Sequence, residues 1–425
     1  MPAFPHLEHD TKTDVLVIGG GLAGLLCAYT LAQRSMNYLL IESDTICSGI
    51  SRNTTAKITS QHGLIYNKLI QNFGVDLARM YWEANQAALE RYRHLSKAFP
   101  CDFEAQPAYV YSIKEANVLE KEMHALEQIG AGAEYVDTLP LPLPVTGAVK
   151  FENQAQFHPL QLAAGISRNL NIREHTAARA FEGNVVLTDY GKITASKIIV
   201  ATHFPLINKH GAYFIKMYQH RSYVLALEHT PELDGMYVDE AKTGLSFRRY
   251  QNLLLLGGGS HRTGKQGGNW TELQSFARTY YPDAQERYRW SAQDCMTLDA
   301  VPYIGQYSRN TPNLYVATGF NKWGMTSSMI AATLLSDMAE EKETPYAAVF
   351  SPSRTVLRPQ LLSNVSSAAV NLLSVSKHRC PHMGCALKWN PQEHSWDCPC
   401  HGSRFTEDGT LLDNPATDDL KRNES

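Results

Sequence analysis

The first hydrophobic run of the chain, Val15-Leu-Val-Ile18, has the length of a buried strand. Glycines at 19, 20, 21 and 24 follow it, and the apolar stretch LAGLLCAYTLAQR beyond them reads as a helix. Without those glycines Val15 to Ala32 would pass for a membrane span; with them it reads as strand, tight turn and helix. Tyr38 to Ile41 is a second strand, ending on Glu42, so the chain opens as a βαβ unit. A polar loop comes next. From Tyr66 to about Ala98, Leu69, Ile70, Phe73, Leu77, Met80 and Tyr81 recur at helical spacing. A helix is expected to start at His158-Pro159, and further buried strands at Ile198–Ala201, Leu253–Leu256 and Leu314–Ala317. The last of these runs into a glycine loop, Gly319 to Gly324, and a helix from Thr326. After about Tyr346 the composition shifts to Ser, Pro and Asn, which predicts a linker, and no internal repeat is visible.

With 425 residues, the chain is too long for one small core, and two or three domains are expected. A hydrophobic fraction of 44% with 19% charged residues is an ordinary globular balance. The formal net charge of −3 speaks against a general nucleic-acid binder. The polar N-terminus lacks the apolar core of a secretory signal, so a cytoplasmic protein with no transmembrane segment is expected. Four of the eight cysteines crowd into the C-terminal tail, at 380, 385, 398 and 400. Without a signal peptide, such crowding favours a metal site over a disulfide framework.

Gly19-x-Gly21-x-x-Gly24 lies between a strand and a helix, with Glu42 closing the second strand. Glycines there permit close approach of a pyrophosphate to a helix N-terminus, and the acid accepts hydrogen bonds from ribose hydroxyls. NAD and FAD share this fingerprint. The later segments favour FAD: Asp299-Ala-Val-Pro-Tyr-Ile-Gly305, then NLYVATGFNKWGMT and a helix, resemble the C-terminal flavin motif of the D-amino-acid oxidase/glycine oxidase-like (DAO) family. The strand ending Ala201-Thr202-His203 resembles that family's second FAD segment. By this resemblance Gly19, Gly21, Gly24 and Glu42 hold the ADP half, Leu22, Ala23, Ser43 and Ser51 belong to the cofactor-binding set, and Thr54, Thr55, Ala56 and Lys57 border the ribityl chain and ring. Ala201, Thr202 and Asp299 belong to the same set, and Gly319, Gly324, Met325 and Thr326 bring a helix N-terminus to the flavin's pyrimidine edge.

Cys380-Pro-His382 and Cys398-Pro-Cys-His401 resemble the two ligand boxes of Rieske proteins. The resemblance implies a [2Fe–2S] cluster with two thiolates on one iron and two imidazoles on the other. It also implies a disulfide between Cys385 and Cys400, a serine hydroxyl bond from Ser403 and a covering loop at Asn414-Pro415-Ala416. By ligand type alone a Cys₂His₂ zinc site is the alternative, and it leaves Cys385 and Cys400 unexplained. Phe405 stands where high-potential members have a tyrosine, which implies a lowered potential. The strands that usually precede the first ligand cysteine are not evident, so either the cluster loops dock on the flavin domain or the small lobe is marginal alone.

On the substrate side, Lys57, Gln61, His62 and Tyr66 follow the ribityl loop, and Lys57 and His62 are catalytic candidates. Amino-acid-oxidising relatives carry a carboxylate-clamping arginine where this chain reads Asp294-Cys295-Met296; Arg248 or Arg249 is the candidate substitute. Cys295 reads as a core residue rather than a flavin attachment point. Gly257 stands where the oxygen-using relatives carry a lysine, which predicts weaker reaction with oxygen.

The expected fold is α/β: a Rossmann-like FAD-binding domain (1–95, 150–215 and 290–345) interleaved with a mixed-sheet substrate domain (96–149 and 216–289). A linker (346–379) then leads to a small all-β Rieske lobe (380–425). The expected activity is oxidation of an amine or amino acid, with hydride transfer to FAD and one-electron exit through the cluster to an acceptor protein or quinone. A flavo-iron–sulfur electron carrier or redox sensor without an amine substrate is the alternative.

Overall fold

The computed structural model describes residues 1–207, 210–354, 361, 364, 370–374, 376 and 378–420. Three sheets organise them. In the first, the strands Thr11–Ile18 and Lys192–Val200 lie side by side, flanked by Tyr38–Ile41 on one side and Leu314–Thr318 on the other. These central pairings are all parallel. Val15 to Ile18 are essentially inaccessible, as expected for a strand covered on both faces. The helices Leu22–Gln33 and Gly324–Ala339 pack against each other beside this sheet. Their near-continuous apolar composition follows from that double burial.

The second sheet has nine strands. At one end of it the pairing is antiparallel: Met217–Glu228 pairs with the edge strand Gln285–Thr297 on one side and Leu253–Arg262 on the other. Gly147–Gln156 and Lys57–Ile58 also belong to it, so the polar loop after the first βαβ unit crosses from one sheet to the other. Gly147–Gln156 and Gln285–Thr297 each straddle a boundary drawn from the sequence, at 150 and at 290. Helical spacing from Tyr66 resolves into two helices, Tyr66–Phe73 and Val75–Ala98, separated at Gly74 with φ +86°. His158 caps the helix Pro159–Ser167, its Nδ1 accepting from Gln161 N at 3.4 Å.

The third sheet is the expected small β lobe, with four short antiparallel strands: Lys388–Asn390, Ser395–Asp397, Arg404–Thr406 and Leu411–Asp413. These strands lie between and after the two cysteine–histidine boxes, not before them. Part of the stretch read as linker, including 355–360 and 365–369, lies outside the described residues. Arg354 is anchored firmly, in a buried two-point ion pair with Asp299 at 2.7 and 2.9 Å.

Candidate active site and cluster site

Between the first two sheets lies a cavity of about 930 Å³, at the upper end of the roughly 300–1,000 Å³ usual for ligand sites. The glycine turn forms one end. Gly19 has φ +110°, and a β-carbon on Gly24 would stand 1.9 Å from the Gly19 carbonyl oxygen. No side chain caps the helix at Gly21. Glu42 accepts from Gly20 N at 2.6 Å and from Ser43 Oγ at 2.9 Å, and Ser51 Oγ accepts from Leu22 N at 2.9 Å. A glycine turn, a helix start whose N-cap residue is itself glycine and an acid at the next strand end suit a dinucleotide pyrophosphate and ribose.

Of the residues expected at the cofactor, Gly19, Gly21, Leu22, Ala23, Glu42, Ser43 and Ser51 line this end. Thr54, Thr55, Lys57, Ala201, Thr202, Gly324 and Met325 line its continuation. Gly24 acts from behind, by letting the helix touch the turn. Four others are not on the wall. Ala56 is buried, and its carbonyl accepts from Arg248 at 2.9 Å. Gly319 supports the following turn, its carbonyl accepting from Asn321 Nδ2 at 2.6 Å. Thr326 bonds His62 at 3.1 Å. Asp299 faces Arg354, which, against burial, holds its carboxyl below the usual range.

Two catalytic expectations change. Arg248 is buried and donates to the carbonyls of Thr55, Ala56 and Phe157. It holds the loop that crosses between the sheets and is not part of the cavity wall, so it offers no clamp for a substrate carboxylate. His62 reaches the wall, but both ring nitrogens are engaged: Nδ1 with Tyr81 Oη at 2.6 Å, Nε2 with Thr59 O at 2.8 Å. Burial pushes this imidazole down to about 3, so it is a neutral wall stacked on Trp323. Lys57 does face the cavity, and burial followed by the charge of Arg248 brings its ammonium down to about 7.

The sequence reading passed over Lys322, in the left-handed turn Asn321-Lys322 of the glycine loop. It lines the cavity with Asp294 and His220, and its Nζ lies 3.3 Å from Ser260 Oγ. A lysine inside the loop bounded by Gly319 and Gly324 was the available signal. Gly257 is on the wall as well, backed by Ser246, whose Oγ would lie 2.6 Å from a β-carbon there. With Lys57 and Lys322 nearby, the missing lysine at 257 does not leave the cavity without cations. Cys295 is buried beside Met217, and burial pushes its thiol up to about 12.

In the C-terminal lobe, Cys380 and Cys398 start two tight loops. Gly384 N bonds Cys380 O at 2.8 Å, and Gly402 N bonds Cys398 O at 3.0 Å. The loops bring both thiols together and set the His382 and His401 rings 5.0 Å apart, nearly perpendicular. Cys385 and Cys400 join the loops by a disulfide. Hydrogen bonds from the Cys398 thiol, then the Ser403 hydroxyl and the His382 and Met383 N–H groups, draw Cys380 down to about 7. Burial pushes His382 to about 4 and His401 to about 3, keeping both imidazoles neutral. His401 Nδ1 is buried without a hydrogen-bond partner. Two apposed thiols, two neutral imidazoles and an orphaned ring nitrogen fit a Rieske cluster.

This lobe also closes the cavity, because Leu411, Asp413, Asn414 and Thr417 line it together with Thr202 and His203. Asn414 Nδ2 donates to Thr202 O at 2.6 Å, and Gln293 Nε2 to Gly402 O at 2.8 Å. Glu393 is buried between Arg221 and Arg404, and accepts from Tyr223 Oη at 2.8 Å and Ser291 Oγ at 2.7 Å. The expected docking of the cluster loops on the flavin domain is therefore present in atomic detail.

The family model of DAO-type FAD-dependent oxidoreductases matches residues 14–338. The chain belongs to the DAO family. A Rieske [2Fe-2S] domain model matches residues 350–424, beginning within the stretch read as linker. The two matches make FAD and a Rieske cluster the cofactors of this DAO-family chain. A Rieske 2Fe-2S iron-sulfur protein, YhfW of Bacillus subtilis (strain 168), is 35% identical, covering 99% of this chain and 95% of that protein. Gamma-glutamylputrescine oxidoreductase of Escherichia coli (strain K12) is 24% identical over 79% of this chain and 85% of its own length. Among solved structures, glycine oxidase from Geobacillus kaustophilus superposes with a TM-score of 0.68 at 20% identity, covering 81% of this chain and 100% of that one. That likeness shows the DAO fold. Among the described residues, no helix is long and apolar enough to cross a membrane.

Proposed function

We propose that the protein is a dehydrogenase acting on an amine or amino acid at the C–H next to nitrogen, whose electrons leave singly through the cluster to an acceptor protein or quinone. When bound, FAD supplies hydride acceptance and the cluster supplies one-electron storage. The glycine turn, Glu42 and the Thr54–Lys57 loop would hold the flavin; Cys380, Cys398, His382 and His401 would hold the cluster. Lys57 is the candidate for charge at the reacting end, since it exists in both protonation states near neutral pH. The single observation that carries the reading is that the cluster lobe forms part of the flavin cavity's wall. The Escherichia coli relative is named for an amine substrate, gamma-glutamylputrescine, which supports an amine here. Of the two arginines on the cavity wall among the described residues, Arg52 adjoins Ser51 and Arg179 is paired with Asp189 at 2.9 Å, which favours an amine over an amino acid whose carboxylate needs a clamp.

Anaerobic screening of amines and amino acids should find a compound that bleaches the flavin and then reduces the cluster in the same molecule. Replacing Cys398 by Ser should keep the first phase and block turnover with one-electron acceptors. If that variant turned over as fast as the parent with oxygen as the sole acceptor, the protein would be an oxidase.

A further inference from the structure

The cluster lobe meets the flavin domain at backbone level. A β-carbon on Gly402, the residue after His401, would fall 2.1 Å from Gln219 Cγ, and one on Gly264 would fall 2.7 Å from Pro399. At the centre of this contact is Gln293, 3% exposed, on the strand Gln285–Thr297. Its side-chain amide has one role on each side. Nε2 donates to Gly402 O at 2.8 Å, and Oε1 accepts from Thr263 Oγ1 at 2.9 Å. Thr263 thereby fixes which way the amide points. Gln293 and its neighbour Asp294 also line the cavity. A single side chain thus spans from the cavity wall to the loop that carries His401. Phe204 completes the seat: it follows the wall residues Thr202 and His203, and its ring centroid lies 6.3 Å from that of His382 and 6.4 Å from that of His401.

We propose that Gln293 is a positioning residue for electron transfer, holding the His401 loop against the cavity wall so that flavin and cluster exchange electrons without any movement of the lobe. The inference rests on the proposed route from flavin to cluster. Two-electron-reduced FAD would give up its electrons one at a time, each taking one cluster iron from ferric to ferrous. The external acceptor would reoxidise the cluster after each transfer, and the flavin's proton would pass to solvent. A buried amide is suited to this role because it adds no charge that would shift either potential, while its hydrogen bond fixes the separation.

The test uses full-length protein loaded with FAD and cluster, reduced photochemically at the flavin and followed by absorbance. In the parent, cluster reduction should proceed at a rate independent of added glycerol. Gln293→Leu should slow it about tenfold, the population cost of one lost buried hydrogen bond. Cluster EPR g-values should stay unchanged, while hydrogen exchange at residues 399–404 should rise. Thr263→Val, which leaves Gln293 present but free to turn, should slow transfer in the same direction by less and serves if the leucine variant fails to load. Parent-like transfer in a loaded variant overturns the role of Gln293, as does a parent rate that falls in proportion to viscosity. A parent in which the flavin reduces and the cluster never does overturns the proposed route itself.

Discussion

Gly24 and His401 show what single positions contribute. At Gly24 the helix touches the turn, with no room for a β-carbon beside the Gly19 carbonyl. Gly24→Val should therefore displace the turn, at about 1–3 kcal/mol, and the purified protein should lose its flavin absorbance while retaining the cluster's EPR signal. Such positions were legible in the sequence because their constraint is local: glycine spacing and cysteine–histidine spacing are set by adjacent backbone. The surroundings of Arg248, His62 and Asp299 were not legible, for the opposite reason. Their partners are Thr55, Tyr81 and Arg354, and only the closed fold decides whether a polar side chain turns to a cavity or to a neighbouring carbonyl. Lys322 was missed on the same ground, since its approach to Asp294 depends on a crossing of two sheets.

Among elements, the contact between the Rieske lobe's first hairpin and the strand Met217–Glu228 carries the largest electrostatic stake. Burial pushes Glu393 up, but Arg221 and then Arg404 outweigh it and hold the carboxyl at about 2. A depressed carboxylate contributes stability fully above its unfolded value, near 4.3, and that contribution fades as pH falls toward 2. Docking should thus be insensitive to pH across the neutral range and weaken below about 4.5, which protease sensitivity of the lobe would report. Glu393→Gln leaves two buried guanidinium groups short of charge and should cost about 3 kcal/mol, read as earlier release of the lobe in a denaturant titration. The second elemental feature is the disulfide. Alkylation of denatured, cluster-free protein should reach the six cysteines at 27, 47, 101, 295, 380 and 398, and leave 385 and 400 protected until a reductant is added. Eight reactive thiols before reduction would contradict the pairing. Elements with a buried apolar run, such as the Val15–Ile18 part of Thr11–Ile18, or with strong periodicity, such as Val75–Ala98, were readable directly. The lobe's own sheet was not, because strands of three residues carry too little alternation to register.

For the molecule as a whole, the two cofactor sites use separate donors, although they share a wall. His401→Ala should remove both irons and the EPR signal and leave FAD bound, measured by iron analysis alongside the flavin spectrum. Loss of both cofactors together would mean that the shared wall, not the ligand set, governs assembly. The fold class and the two cofactors followed from motifs at either end of the chain. Docking of the lobe on the flavin domain was among the expectations from its missing strands, but the contacts that make it were not: Gln293 and Glu393 stand in no motif, and Asn414 was read only as part of the covering loop.

That shared wall also orders events in time. The turn at Gly19 and the strands beside it leave the ribosome early, whereas Leu411 to Thr417, which finish the chamber, are delivered only after nearly everything else. A flavin captured during synthesis would enter through the side that Leu411 to Thr417 have yet to line.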